Sequence, residues 1–142
     1  MKNNFDITGH WKGIITYGPE YEDWENKELY FSVDLFQDND IINGIASDTG
    51  GIGVNYDKAK IKGFIENYEI SFIKQYDTVT WTDETGEITD IEKPGPEINY
   101  TGTYNPISNS FEGQWEICIL VRQIGDTWLD EVWTGTWTMT RK

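Results

Sequence analysis

The chain has 142 residues, the length of one ordinary domain and enough to bury most of the apolar surface of its unfolded form. It is 15% aromatic, with 7 Trp, 8 Tyr, 14 Gly and only 4 Pro, a balance that fits a compact β-rich protein and not a disordered one. Asp and Glu number 25 against 11 Lys and Arg, a formal charge of -14, so the field around the molecule repels phosphate backbones and anionic lipid and disfavours nucleic-acid and membrane-surface binding.

Acidity of this kind serves solubility in a cytoplasm, or it offers a surface to a protein partner with a basic patch. The lone cysteine, Cys118, excludes an intramolecular disulfide framework and reads as a buried, inert thiol. The start, MKNNFDITGHW, has no apolar run of signal-peptide length, and no segment approaches the roughly 20 apolar residues of a membrane-spanning helix. A cytoplasmic protein is expected, unless a leader was removed.

Along the chain, period-two alternation places the first strand at about residues 10 to 17. The loop from Tyr17 to Lys27 follows, mixing Tyr21 and Trp24 with Glu20, Glu22, Asp23 and Glu25; it reads either as a lid over a barrel mouth or as a solvated loop. Strands at 28 to 37 and 41 to 48 flank the turn phrase Gln37-Asp-Asn-Asp40. That phrase begins like a calcium loop, but Ile42 stands where a fifth-position ligand is needed. Glycine-rich Gly50-Gly-Ile-Gly-Val-Asn55 reads as a turn. The cleanest alternation is Lys58 to Glu66, with Ala59, Ile61, Gly63 and Ile65 on one face and lysines on the other, which belongs to an antiparallel sheet or barrel.

After Glu66-Asn67 a strand covers 68 to 76. An extra hairpin is expected between Asp77 and Glu97, with arms 78 to 82 and 87 to 91, a tip at Asp83-Glu-Thr-Gly86 and an end at Pro94-Gly-Pro96. Strands at 98 to 105 and 110 to 121 flank the turn Asn105-Pro-Ile-Ser-Asn109, and a last strand covers 130 to 140. Short turns between consecutive strands mean an up-and-down meander, so the expected fold is all-β: a single antiparallel barrel of about 8 to 10 strands over residues 1 to 142.

A glycine precedes a large aromatic by two positions in Gly9-His-Trp11, Gly102-Thr-Tyr104, Gly113-Gln-Trp115 and Gly135-Thr-Trp137. Such positions share one face of a strand, so each glycine opens a gap that an aromatic of a neighbouring strand can cover, and each allows the bend that closes a small barrel. The aromatics serve structure, line a ligand, or do both.

Gly9-His-Trp11 on the first strand resembles the Gly-x-Trp motif of the lipocalins and of the wider calycin group, which includes the avidins. In lipocalins a basic residue of the last strand packs over that Trp, and the resemblance assigns this place to Arg141, which follows Trp137 and Met139 on one face. The lipocalin second motif and C-terminal helix are absent, and the biotin contacts of avidins do not map onto this chain. The series Gly9-His-Trp-x-Gly13, Tyr17-Gly-Pro-Glu-Tyr21, Ile70 to Tyr76, Tyr100-Thr-Gly-Thr-Tyr104 and Gly135 to Met139 is similar to a group of small uncharacterised bacterial proteins. That likeness brings no activity.

No catalytic constellation is readable, and no cofactor motif: neither glycine-rich segment has phosphate-loop spacing. One His and one Cys, on strands at opposite ends of the chain, exclude a transition-metal site built from several such ligands. The inward faces of the strands are more informative. Lys74 and Tyr76 continue the face of Ile70 and Phe72, and Asp48 shares a face with Gly44 and Ala46. Lys74 and Asp48 then form an ion pair closing one end of the barrel, anchor a ligand, or leave the lysine exposed. The expected function is a barrel that binds a small apolar or aromatic molecule, lined by Tyr17, Phe31, Phe72, Tyr76, Tyr100 and Trp115, with Lys74 or Asp48 holding a polar group. The rival is an acidic interaction or inhibitor protein with a side-chain-filled barrel.

Overall fold

The computed structural model describes residues 5–54, 57–77, 79–82, 88–91 and 97–141; the side chains of 79–82, 88–91, 119–123 and 128–131 are outside that description. Among the described residues ten strands follow in chain order: β1 (Gly9–Tyr17), β2 (Glu28–Asp38), β3 (Ile41–Gly51), β4 (Ala59–Glu66), β5 (Glu69–Tyr76), β6 (Val79–Thr82), β7 (Ile88–Ile91), β8 (Ile98–Asn105), β9 (Ser110–Ile124) and β10 (Thr127–Arg141). Eight of them close into an antiparallel barrel in the order β1, β2, β3, β4, β5, β8, β9, β10, with β10 returning to β1. Consecutive barrel strands are neighbours throughout, so the topology is up-and-down and compatible with a lipocalin or calycin-like fold. The strands β6 and β7 pair only with each other, inserted between β5 and β8. The expected tip at 83–86 and the Pro94–Pro96 stop lie outside the described residues.

Asparagine carries three of the tight turns. Asn39, Asn67 and Asn109 adopt φ of 55°, 56° and 52°, in the left-handed region that asparagine tolerates better than branched residues. Each falls in a turn phrase legible in the sequence. The β9–β10 hairpin is longer than expected, because Gly125 at φ 62° turns the chain between Ile124 and Thr127 and pairing continues past the expected strand ends at 121 and 130. Cys118 is not buried: Trp115 and Ile117 of β9 point inward, so the cysteine, an odd number of residues from each, falls on the exposed side.

The barrel has a sealed end and a mouth. At the sealed end Phe5 and Ile7 tuck beneath Trp11, whose indole N–H donates to the Ile7 carbonyl at 2.8 Å. Phe5 packs on Tyr104 with ring centroids 4.3 Å apart, and Trp11 meets Phe111 edge-on at 5.4 Å. The Arg141 guanidinium lies 4.8 Å from the Trp11 ring centroid and donates to the Asp6 carbonyl at 2.6 Å. A cation over an indole face here adds about 0.5 to 2 kcal/mol.

Glycines set the bends, although not uniformly. A Cβ on Gly102 would sit 2.7 Å from Cζ2 of Trp137, and one on Gly135 2.5 Å from Cζ2 of Trp115, so each indole lies across a neighbouring strand's glycine. Their N–H groups then reach carbonyl oxygens: Trp137 donates to Thr101 and Gln114, and Trp115 to Thr136, all at 3.1 Å. Gly113 instead faces the backbone of Thr101 and Gly102, and Gly9 has open space with φ 144°. The repeated phrase therefore serves indole cover twice, close strand approach once and an unusual backbone conformation once.

Candidate functional site

The inward faces fill the barrel between its ends. Phe31, Val33, Leu35, Ala46, Ile61, Phe72 and Met139, with Lys74 and Tyr100 at the mouth side, converge on a void of about 10 Å³, room for no more than one water. Phe31 lies across Gly13, and Phe72 stacks on Tyr100 with centroids 4.7 Å apart and planes at 11°. Phe31 and Phe72, expected to line a ligand, are packing residues of this filled layer.

Lys74 and Asp48 close the filled layer toward the mouth. Their side chains are 3% and 0% exposed, with Nζ 3.7 Å from Oδ1. Asp48 faces inward by the alternation it shares with Ile42 and Ala46, and the ladder bulges just beyond it, since Phe31 pairs with Asp48 while Tyr30 pairs with Gly50, leaving Thr49 as the extra residue. The Tyr76 hydroxyl donates to the same carboxylate, 2.7 Å from Oδ1 and 2.9 Å from Oδ2. Three rings surround the ammonium: Phe31 and Tyr76 at 5.1 Å and Tyr100 at 5.8 Å from their centroids. Burial pushes the Lys74 ammonium's pKa down, and the charge and hydrogen bond of Asp48 oppose that shift. The same burial, with the Asp48 charge second, pushes the phenols of Tyr76 and Tyr100 well up, so both stay neutral.

Above this floor lies a cavity of about 220 Å³ lined by Ile15, Tyr17, Leu29, Tyr76, Ile98, Tyr100, Trp115 and Ile117, and by Tyr21, Trp24 and Gly53 over the top. The first six of the expected lining residues thus divide: Tyr17, Tyr76, Tyr100 and Trp115 meet here, and Phe31 and Phe72 do not. The roof is the 3-10 segment Pro19–Trp24, kinked at Glu22 where φ is 52°. Tyr21 drops onto Tyr17 at 4.7 Å, Trp115 at 5.7 Å and Trp133 at 4.7 Å between centroids, and Trp24 reaches Tyr17 at 5.3 Å. Burial, then the Glu20 charge, raises the Tyr21 pKa to about 12.

Sequence reasoning missed what ties this roof down. Glu20 Oε1 accepts from the Thr134 N–H at 2.9 Å and from its hydroxyl at 2.8 Å, and the Gly18 N–H donates to the Thr134 carbonyl at 2.9 Å. With the partners 114 positions apart in the sequence, no local pattern announces the contact. On the opposite wall the Tyr17 hydroxyl donates to the Ile52 carbonyl at 2.8 Å, anchoring the glycine-rich segment beside the mouth.

A larger groove of about 740 Å³ runs on the outer surface of β1, β2 and β10, among His10, Lys12, Ile14, Tyr30, Thr138 and Thr140. Its lining mixes Lys12, His10 and threonines with a few apolar groups, whereas the mouth cavity is walled by aromatic and aliphatic side chains, the lining that suits a small apolar ligand. His10 there is hydrogen-bonded through Nδ1 to Asp34 at 2.6 Å. Among the described residues, no group of three or more His, Cys, Asp or Glu gathers to hold a metal ion. No helix there is long and apolar enough to cross a membrane. Comparison with family models, curated proteins and solved structures returned no match.

Proposed function

We propose that the protein is a calycin-type barrel that binds one small apolar or aromatic molecule in the mouth cavity beneath Pro19–Trp24. The observation that carries this reading is the roofed space of about 220 Å³ with an aromatic lining above an otherwise filled interior. Apolar cavities of roughly 150 Å³ take up benzene, so this one suits a fused two-ring molecule. The arginine over Trp11 supports the calycin-type assignment of the scaffold.

The rival reading, an acidic surface for a basic partner, gains less. Exposed carboxylates occur on the roof (Glu22, Asp23, Glu25), β2 (Asp34, Asp38), β5 (Glu69) and β9 (Glu112, Glu116), around the barrel and not along one face. The test is a Trp fluorescence titration with naphthalene on the wild type and on Ile98→Trp, which places an indole in the cavity. Saturable binding lost in the variant supports the mouth site. Binding that survives the filled cavity, or none in either protein, contradicts it.

A further inference from the structure

Among the described residues, and apart from the half-buried Tyr21 of the roof, the phenols and indoles buried on barrel strands are hydrogen-bonded with one exception. Tyr17 donates to Ile52, Tyr76 to Asp48 and Tyr104 to Asn109, and each buried indole reaches a backbone carbonyl. Tyr100 is 2% exposed, its ring fixed between Phe72 and the edge of Trp137. Its hydroxyl has no hydrogen-bond partner among the described residues. Every fully enclosed side-chain polar atom among those residues has one, so this hydroxyl opens onto free space. Tyr100 borders both the mouth cavity and the void below, but the void exposes only apolar atoms, so the polar end of Tyr100 belongs to the mouth, where Tyr17 and Tyr21 also act on it electrostatically.

We propose that the mouth cavity selects neutral, flat aromatic molecules carrying a hydrogen-bond acceptor such as a ketone or ester carbonyl, with the Tyr100 hydroxyl as the donor. This rests on the reading of the mouth as the ligand site. An apolar occupant excludes the water that otherwise satisfies the hydroxyl, and a buried O–H without an acceptor is costly, so a ligand that supplies one is favoured. Neutrality follows from the walls. Among the described residues no charged side chain lines the cavity, and Lys74 below it is held 3.7 Å from Asp48 behind the Tyr76 ring. A carboxylate would therefore meet no free positive charge, and a cation no free negative one, in a desolvated site.

The experiment compares naphthalene with acetonaphthone on the wild type, on Tyr100→Phe and on Tyr104→Phe, whose lost hydroxyl lies at the sealed end. The expected result is that the ketone binds the wild type and Tyr104→Phe about tenfold tighter than the hydrocarbon, the value of one well-made hydrogen bond. In Tyr100→Phe the two compounds bind equally, with naphthalene affinity retained. The carbonyl stretching band of bound acetonaphthone moves to lower frequency in the wild type and not in Tyr100→Phe, a signature that loss of packing alone does not produce. Equal affinities in the wild type, or a preference that persists in Tyr100→Phe, overturns the proposal while leaving the mouth site standing. Failure of both compounds to bind the wild type overturns the mouth site and this proposal together.

Discussion

Asp48 holds together two polar groups that have no other reason to be inside a barrel. Removing its carboxylate leaves Lys74 buried without a counter-charge, and Asp48→Ala is expected to cost about 3 to 5 kcal/mol in denaturant unfolding. The double variant Asp48→Leu with Lys74→Met, which removes both charges, recovers much of that loss. If the single and double variants unfold alike, the pair is not the stabilising unit described. The glycines make a second test at this scale: Gly102→Ala sets a methyl 2.7 Å from Trp137 and 2.6 Å from the Glu112 carbonyl, so its melting temperature falls, whereas Gly125→Asn, at φ 62° with open space, leaves it nearly unchanged. The placement of Lys74, Tyr76 and Asp48 on inward faces was legible because strand alternation fixes it. Cys118 was misjudged because an apolar run, Ile117 to Val121, hides which of its members face out.

Among the elements, the roof over the mouth depends on Glu20. Hydrogen bonds from its own backbone N–H and from Thr134 hold the Glu20 carboxyl below its ordinary value of 4.5. Because the folded-state pKa is the lower one, the clasp contributes fully above 4.5 and is lost as pH falls through the folded value. Hydrogen exchange over residues 18–25 is therefore expected to quicken in acid, and Glu20→Ala to show that faster exchange already at neutral pH. A variant whose exchange matches the wild type throughout contradicts the clasp. Turn positions were readable from Asn39, Asn67 and Asn109, since the side chain that tolerates the conformation is the signal. The clasp was not, nor was the bulge at Thr49, because both depend on partners set by closure of the barrel.

For the whole molecule, the buried phenols among the described residues outnumber the buried amines, and that sets the response to alkali. Tyr17, Tyr21, Tyr76 and Tyr100 all have pKa values raised above the ordinary 10.0 by burial. Their stabilisation is complete below that value and is lost as pH rises, with Tyr21 giving way near 12. Lys74, whose pKa is lowered, acts in the opposite sense and adds stability as pH rises toward 10.5. Four against one predicts steep unfolding above about pH 10, with tyrosinate absorbance and loss of near-ultraviolet dichroism appearing together. Tyrosines that ionise one by one in a still-folded barrel contradict it. The closed all-β architecture was legible at this scale from period-two alternation and short turns. Whether the interior was hollow was not, because the same aromatics that line a cavity can fill one, and only closure of the barrel separates the filled layer of Phe31 and Phe72 from the space above Tyr76 and Tyr100.

The most direct measurement is a titration of the isotopically labelled protein with acetonaphthone followed by backbone amide spectra. Saturable shifts concentrated at Tyr17, Tyr21, Gly53, Tyr76, Tyr100 and Trp115 are the result this account predicts. Shifts confined to the outer groove around His10, Tyr30 and Thr138, or none at saturating ligand, contradict it.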